Sequence, residues 1–128
     1  MNKRLNNKKA IITGGSRGIG EGIVRRLYDE GAEIIIADIK EDLARELISE
    51  LDNDRGNVNF YKVDVSDEKQ IKELFEFTDK RWGTLDILIN NAGIEDGDLL
   101  ENQTYENYKK TININMDASF LTSKYSLP

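Results

Sequence analysis

Neither cysteine nor histidine occurs among the 128 residues, and proline appears only once, at the last position. Without cysteine there are no disulfides and no thiol nucleophile. Without histidine there is no imidazole base, and the two absences together exclude zinc sites of the common kinds. A carboxylate-bound magnesium remains chemically open, but no spaced acidic cluster calls for one. Basic residues are in deficit, 18 Lys and Arg against 24 Asp and Glu, for a net charge of -6. That balance argues against nucleic acid as a main partner, because phosphate binding needs clustered cations. Long hydrophobic runs are also missing. The segment Met1 to Lys9 is polar and basic, and the apolar run after it is too short for a signal peptide or a membrane span. The expectation is a cytoplasmic protein with no membrane partner.

What is present is an alternation of two periods. The chain has the apolar and charged fractions of a folded protein, 38% and 33%, and the length of one layered core, so a single domain over residues 1–128 is expected. Ala10-Ile11-Ile12 runs into glycines and reads as a buried strand ending in a turn. From Gly18 to Glu30, Ile19, Ile23, Val24, Leu27 and Tyr28 fall on one helical face, and Gly31 stands where a helix-terminating glycine belongs. Glu33 to Ala37 is an isoleucine-rich strand of the kind covered on both faces. A second helix carries Leu43, Leu47, Ile48 and Leu51, a turn-rich stretch spans Asp52 to Asn57, and Val58 to Val63 is a third strand. Ser66 can cap a third helix bearing Ile71, Leu74, Phe75, Thr78 and Trp82, closed by Gly83. Leu85 to Ile89 makes a fourth strand. A last helix, Thr104 to Ser126, carries Tyr108, Ile112, Met116 and Phe120 on one side. Four β-α units predict an α/β fold, with a four-stranded parallel sheet in the order 3-2-1-4 and helices on both faces. A ligand is then expected at the carboxyl ends of strands one and four, where the order reverses.

The first strand-to-helix turn reads Thr13-Gly14-Gly15-Ser16-Arg17-Gly18-Ile19-Gly20. Gly14 permits a tight turn, Gly18 lets backbone approach a pyrophosphate, and Gly20 lets the helix pack closely on the sheet. The helix N-terminus then offers unpaired N–H groups and partial positive charge to phosphates. No Gly-Lys-Ser/Thr closes the turn, so it is not a P-loop. Asp38 ends the second strand eighteen residues after Gly20. A carboxylate there can accept both ribose hydroxyls of an adenosine and repels a 2′-phosphate, whereas Arg17 beside the turn can pair with one. The carboxylate outweighs the arginine, which favours NAD over NADP.

At this point the chain resembles the short-chain dehydrogenases/reductases, over essentially its whole length. The Thr13–Gly20 spacing is similar to that family's cofactor signature, and Asn90-Asn91-Ala92-Gly93 to its motif after the fourth strand. Asp64-Val65 is similar to its adenine-contacting pair, and Asn115 to its helix asparagine. The resemblance implies a Rossmann-type fold and hydride transfer between a nicotinamide cofactor and an alcohol or carbonyl. It implies that Gly14, Ser16, Arg17, Gly18 and Ile19 cradle the pyrophosphate and ribose. Asp38 would bind the ribose hydroxyls, Asp64 and Val65 would meet the adenine, and Asn91, Ala92 and Gly93 would run beside the cofactor. Asn115 would sit at a helix break as the asparagine of the family's catalytic set.

The same resemblance implies a catalytic Ser and Tyr-x-x-x-Lys after a fifth strand, which this chain stops short of. Tyr105 and Lys109 have the spacing but precede Asn115, where the family's pair follows it. The expectation is therefore a cofactor-binding half, inactive alone; the alternative is a non-enzymatic NAD-binding or oligomerising module. Without a fifth strand, Leu85, Ile87, Leu88 and Ile89 would form an apolar edge. A homodimer is expected through that edge or through the last helix.

Overall fold

In the computed structural model the described residues are 3–51, 56–92 and 104–127. Four parallel strands, β1 (Lys9–Thr13), β2 (Glu33–Asp38), β3 (Val58–Lys62) and β4 (Ile87–Ile89), stand in the order β3-β2-β1-β4, as the alternation predicts. Ile11 lies opposite Ile35 in β2 and Leu88 in β4, which sets the register across the centre of the sheet. The fourth strand is shorter than the sequence suggests. Leu85 lies outside it, and Asp86 is its first tie to β1, donating its N–H to Lys9 while its carboxylate accepts the Lys9 N–H.

Because side chains alternate across a strand, the run Ile34-Ile35-Ile36 feeds two cores. Ile34 and Ile36 pack with Ala10, Ile12, Val24, Ala44 and Leu47 beneath the helices α1 (Gly18–Asp29) and α2 (Glu41–Leu51). Ile35 turns the other way, to Ile11, Ile71, Leu74 and Ala118. That second layer is built by α3 (Glu68–Trp82) and by the last helix, which comprises α4 (Tyr105–Ile112), a π turn at Asn113–Asp117, and α5 (Ala118–Ser126). All three isoleucines are fully buried, as strands covered on both faces require.

Two local readings change. The side chain that caps α3 is Asp67, which accepts the Lys69 N–H; Ser66 instead donates to Asp64. Both residues are small acceptors, and the geometry of the preceding turn selects between them. In the last helix the apolar stripe faces solvent: Tyr108, Met116 and Phe120 are exposed, whereas Ala118 and Thr122 are buried. Positions four apart drift by about 40° per step on an α-helix. The wider π turn reverses that drift, so Lys110, Ile114, Ala118 and Thr122 stay nearly in line toward the body of the fold.

Ile35→Ala should lower unfolding free energy by about 2–5 kcal/mol, because the cavity opens at the centre of a two-sided core. Met116→Ala should change it by about 0.5 kcal/mol or less. Urea denaturation at low protein concentration measures both.

Candidate cofactor cleft

The glycine turn meets the end of β4 through hydrogen bonds that begin at Thr13. Its hydroxyl accepts the backbone N–H groups of Asn91 and Ala92, both at 3.0 Å, and donates to the Ile89 carbonyl at 3.4 Å. The Asn91 side-chain amide donates to the Gly14 carbonyl at 3.0 Å. A Cβ at Gly20 would run into that same carbonyl and the Asn91 amide, so α1 can lie this close to the sheet only with glycine there. Gly18 has a different need: its φ of +60° is left-handed, and nothing lies within 4 Å of where its Cβ would point. The α1 N-terminus behind it carries no side-chain cap. Its first-turn N–H groups, with their partial positive charge, are left for an anion.

A cleft of about 640 Å³ opens at this end of the sheet. Gly14, Arg17, Gly18, Asp38, Asp64, Val65, Asn91 and Ala92 all line it, so eight of the residues singled out from sequence converge on one place. Three others do not line it. Ser16 is buried beneath the turn, Ile19 is 79% exposed, and Asn115 is exposed within the π turn. Gly93, also expected beside the cofactor, lies outside the described residues.

Asp38 is held from two sides. One oxygen accepts from the Ser16 N–H and hydroxyl; the other accepts the Ile39 N–H at 2.6 Å and the Lys40 N–H at 3.4 Å. These donors fix the orientation of the carboxylate at the cleft wall. Asn90, the other half of the asparagine pair, is a structural tie: its carbonyl accepts the buried Thr122 hydroxyl at 2.5 Å and its amide reaches Ser123. The Tyr105–Lys109 pair lies elsewhere. The Lys109 ammonium sits 5.0 Å from the Tyr105 ring centroid, and that ring is 73% exposed and stacked on Tyr108.

Sequence reasoning passed over Ser66, Lys40, Lys110 and Ile114, all on the cleft wall. Lys40 had a signal, standing two residues past Asp38. Lys110 and Ile114 had none, because they reach the cleft through the π turn.

A family model for short chain dehydrogenases matches residues 8–128. The chain belongs to the short-chain dehydrogenase family. Zerumbone synthase of Zingiber zerumbet is 34% identical over 125 residues, covering 96% of this chain and 46% of that protein. Xanthoxin dehydrogenase of Arabidopsis thaliana is 37% identical over 128 residues, with 97% and 45% covered. The chain thus spans about half the length of the curated relatives it matches. The crystal structure of a short-chain dehydrogenase/reductase (glucose/ribitol dehydrogenase) from Brucella melitensis superposes with a TM-score of 0.93 at 24% identity. It covers all of this chain and 54% of that one, a likeness of fold. Members of this family are oxidoreductases that use a nicotinamide cofactor, NAD or NADP, and commonly oligomerise. Among the described residues, no helix is long and apolar enough to cross a membrane.

Thr13→Val keeps the shape of the side chain and removes the acceptor shared by Asn91 and Ala92. Two part-buried N–H groups lose their partner, and the unfolding free energy should fall by about 1–3 kcal/mol in urea denaturation.

Proposed function

We propose that this chain binds NAD(H) in the cleft and is the cofactor-binding part of an oxidoreductase acting on an alcohol or carbonyl. The observation that carries the reading is a convergence: the uncapped N-terminus of α1, the Asp38 carboxylate and the Asp64–Val65 loop face one cavity. A helix N-terminus without a side-chain cap suits a pyrophosphate, and a carboxylate one strand away suits a ribose diol. When bound, the nicotinamide supplies or accepts the hydride.

The chain's own residues would hold the cofactor and select it. Gly14, Arg17 and Gly18 would form the pyrophosphate end, with Gly18 admitting the phosphates closest to the backbone; Ser16 would hold Asp38 from beneath the turn, and the exposed Ile19 would stand beside them at the start of α1. Asp38 would accept the ribose hydroxyls, which compete with the Ser16 hydroxyl for the same oxygen. Asp64 and Val65 would border the adenine, and Asn91, Ala92 and Gly93 would flank the path toward the nicotinamide. A 2′-phosphate would bring its charge against Asp38, an opposition that Arg17 and Lys40 offset only in part. NAD is therefore preferred to NADP. Asn115 is the one residue here that matches the family's catalytic set.

The family's tyrosine acid/base would come from outside the described cleft, since no tyrosine is among the described residues that line it. Tyr105 points away, with Lys109 against its ring face. Alone, the chain would bind cofactor without turning it over.

A homodimer through the last helix is part of the same proposal. Tyr108, Met116 and Phe120 make an exposed apolar stripe, 58%, 63% and 66% accessible, that a second copy can cover.

Two measurements follow. Calorimetric titration should give micromolar NADH binding with NADPH about tenfold weaker, and Asp38→Ala should erase most of that difference; equal affinities in the unaltered chain contradict the selectivity argument. Sedimentation at high micromolar concentration should show a dimer that Phe120→Asp converts to monomer, and a monomeric unaltered chain refutes the association.

A further inference from the structure

The last helix and the adenine side of the cleft are joined by a side chain that the cofactor signature does not include. Asn113 opens the π turn, and its amide donates to the Ser66 carbonyl at 3.3 Å, across 47 positions of sequence. Ser66 belongs to a loop closed on itself. Its N–H and hydroxyl donate to one Asp64 oxygen at 2.9 and 2.6 Å, and the Asp67 N–H donates to the Asp64 carbonyl at 3.0 Å. Gln70 fastens the loop to α3, accepting the Asp64 N–H at 2.8 Å and donating to the Asp67 carboxylate at 3.1 Å. The loop is thus tied to α3 and to itself through Asp64, Ser66, Asp67 and Gln70, and Asn113 connects it to the last helix. The packing runs the same way: Val65 is buried in the core cluster against which Ile114 lies, and both residues line the cleft.

A π turn is held open at the expense of regular helical hydrogen bonding, and such turns recur where a side chain must be aimed. Here the turn presents Asn113 to the loop and Ile114 to the cleft from consecutive positions, with Asn115 next in line. We propose that Asn113 is a positioning residue for the adenosine end of the cleft, fixing the Asp64–Ser66 wall and linking its occupancy to the π turn that carries Asn115. This rests on the cofactor reading above, and it predicts a coupling that the glycine turn alone does not produce. A ligand filling only the adenosine end should stiffen the π turn, because Ser66 cannot be drawn toward the ligand without Asn113.

The test uses AMP, which has adenosine and one phosphate but no nicotinamide, on the full chain and on Asn113→Leu and Asn113→Asp. Both substitutions keep the approximate shape and remove the donor; Asn113→Gln restores a donor. The first readout needs no ligand: hydrogen exchange at the amides of Asp64, Ser66 and Asp67 should quicken about fivefold in the Leu and Asp variants, the equivalent of one net hydrogen bond. The second is calorimetric: AMP should bind those variants about fivefold more weakly and Asn113→Gln nearly as well as the unaltered chain. The third is specific to coupling: AMP should slow exchange across residues 113–117 in the unaltered chain and leave it unchanged in Asn113→Leu. Unaltered AMP affinity in both donor-less variants, or AMP protection of residues 113–117 that survives in Asn113→Leu, overturns the proposal. If the unaltered chain binds neither AMP nor NADH, the cofactor reading itself fails. Quickened exchange without binding would then leave Asn113 a structural tie only, which also overturns the proposal.

Discussion

The close approach of the first glycine turn to the end of β4 is the constraint on which the remaining structure depends. One hydroxyl, that of Thr13, accepts the two N–H groups that leave β4, and the Asn91 amide returns a hydrogen bond to the Gly14 carbonyl. This junction sits where the strand order reverses, between β1 in the centre and β4 beside it. A parallel sheet must open a crevice there, because its connections depart to opposite faces. Gly20 lets α1 lie close enough to shape one side of that crevice, and the loops after β2 and β3 shape the other. The cleft is therefore a consequence of topology, and its chemistry comes from the few side chains at the strand ends.

Two cores make that junction rigid. The isoleucines of β2 divide between them, so each helical layer is locked to the sheet independently. The layer containing α3 and the last helix is the more instructive, because its contact with the cleft depends on an irregularity. A straight helix would carry Lys110 and Ile114 progressively away from the line of Ala118 and Thr122. The π turn brings them back, and one helix then serves both the core and the cleft wall.

The parts of this arrangement that were legible in sequence are those that leave a mark on residue type. Thr13 to Gly20 is legible because a left-handed turn and a tight helix packing each demand glycine. Ile34 to Ile36 is legible because a strand covered on both faces cannot alternate with polar residues. Asp38 follows from its position at the end of the second strand after a glycine turn, whereas Asp64 and Asn91 were legible only through the family resemblance. The π turn leaves no such mark: a change in hydrogen-bond register requires no particular side chain. With it went the orientation of the last helix, whose conspicuous stripe of Tyr108, Met116 and Phe120 proved to be its exposed face. Ser66 and Asp67 are interchangeable as caps on composition alone, and only the turn around Asp64 separates them. The grip of Ser16 on Asp38 was likewise invisible, because it joins two elements twenty-two residues apart.

The proposed meeting place of this chain and a nicotinamide dinucleotide is the reversal-point cleft. Amide NMR spectra of the chain recorded with and without NADH test it most directly. The largest shifts should fall on Gly14, Arg17, Gly18, Asp38, Asp64, Val65, Asn91 and Ala92, with residues at the opposite end of the sheet unmoved. Shifts centred on any other surface, or none at millimolar NADH, would contradict it.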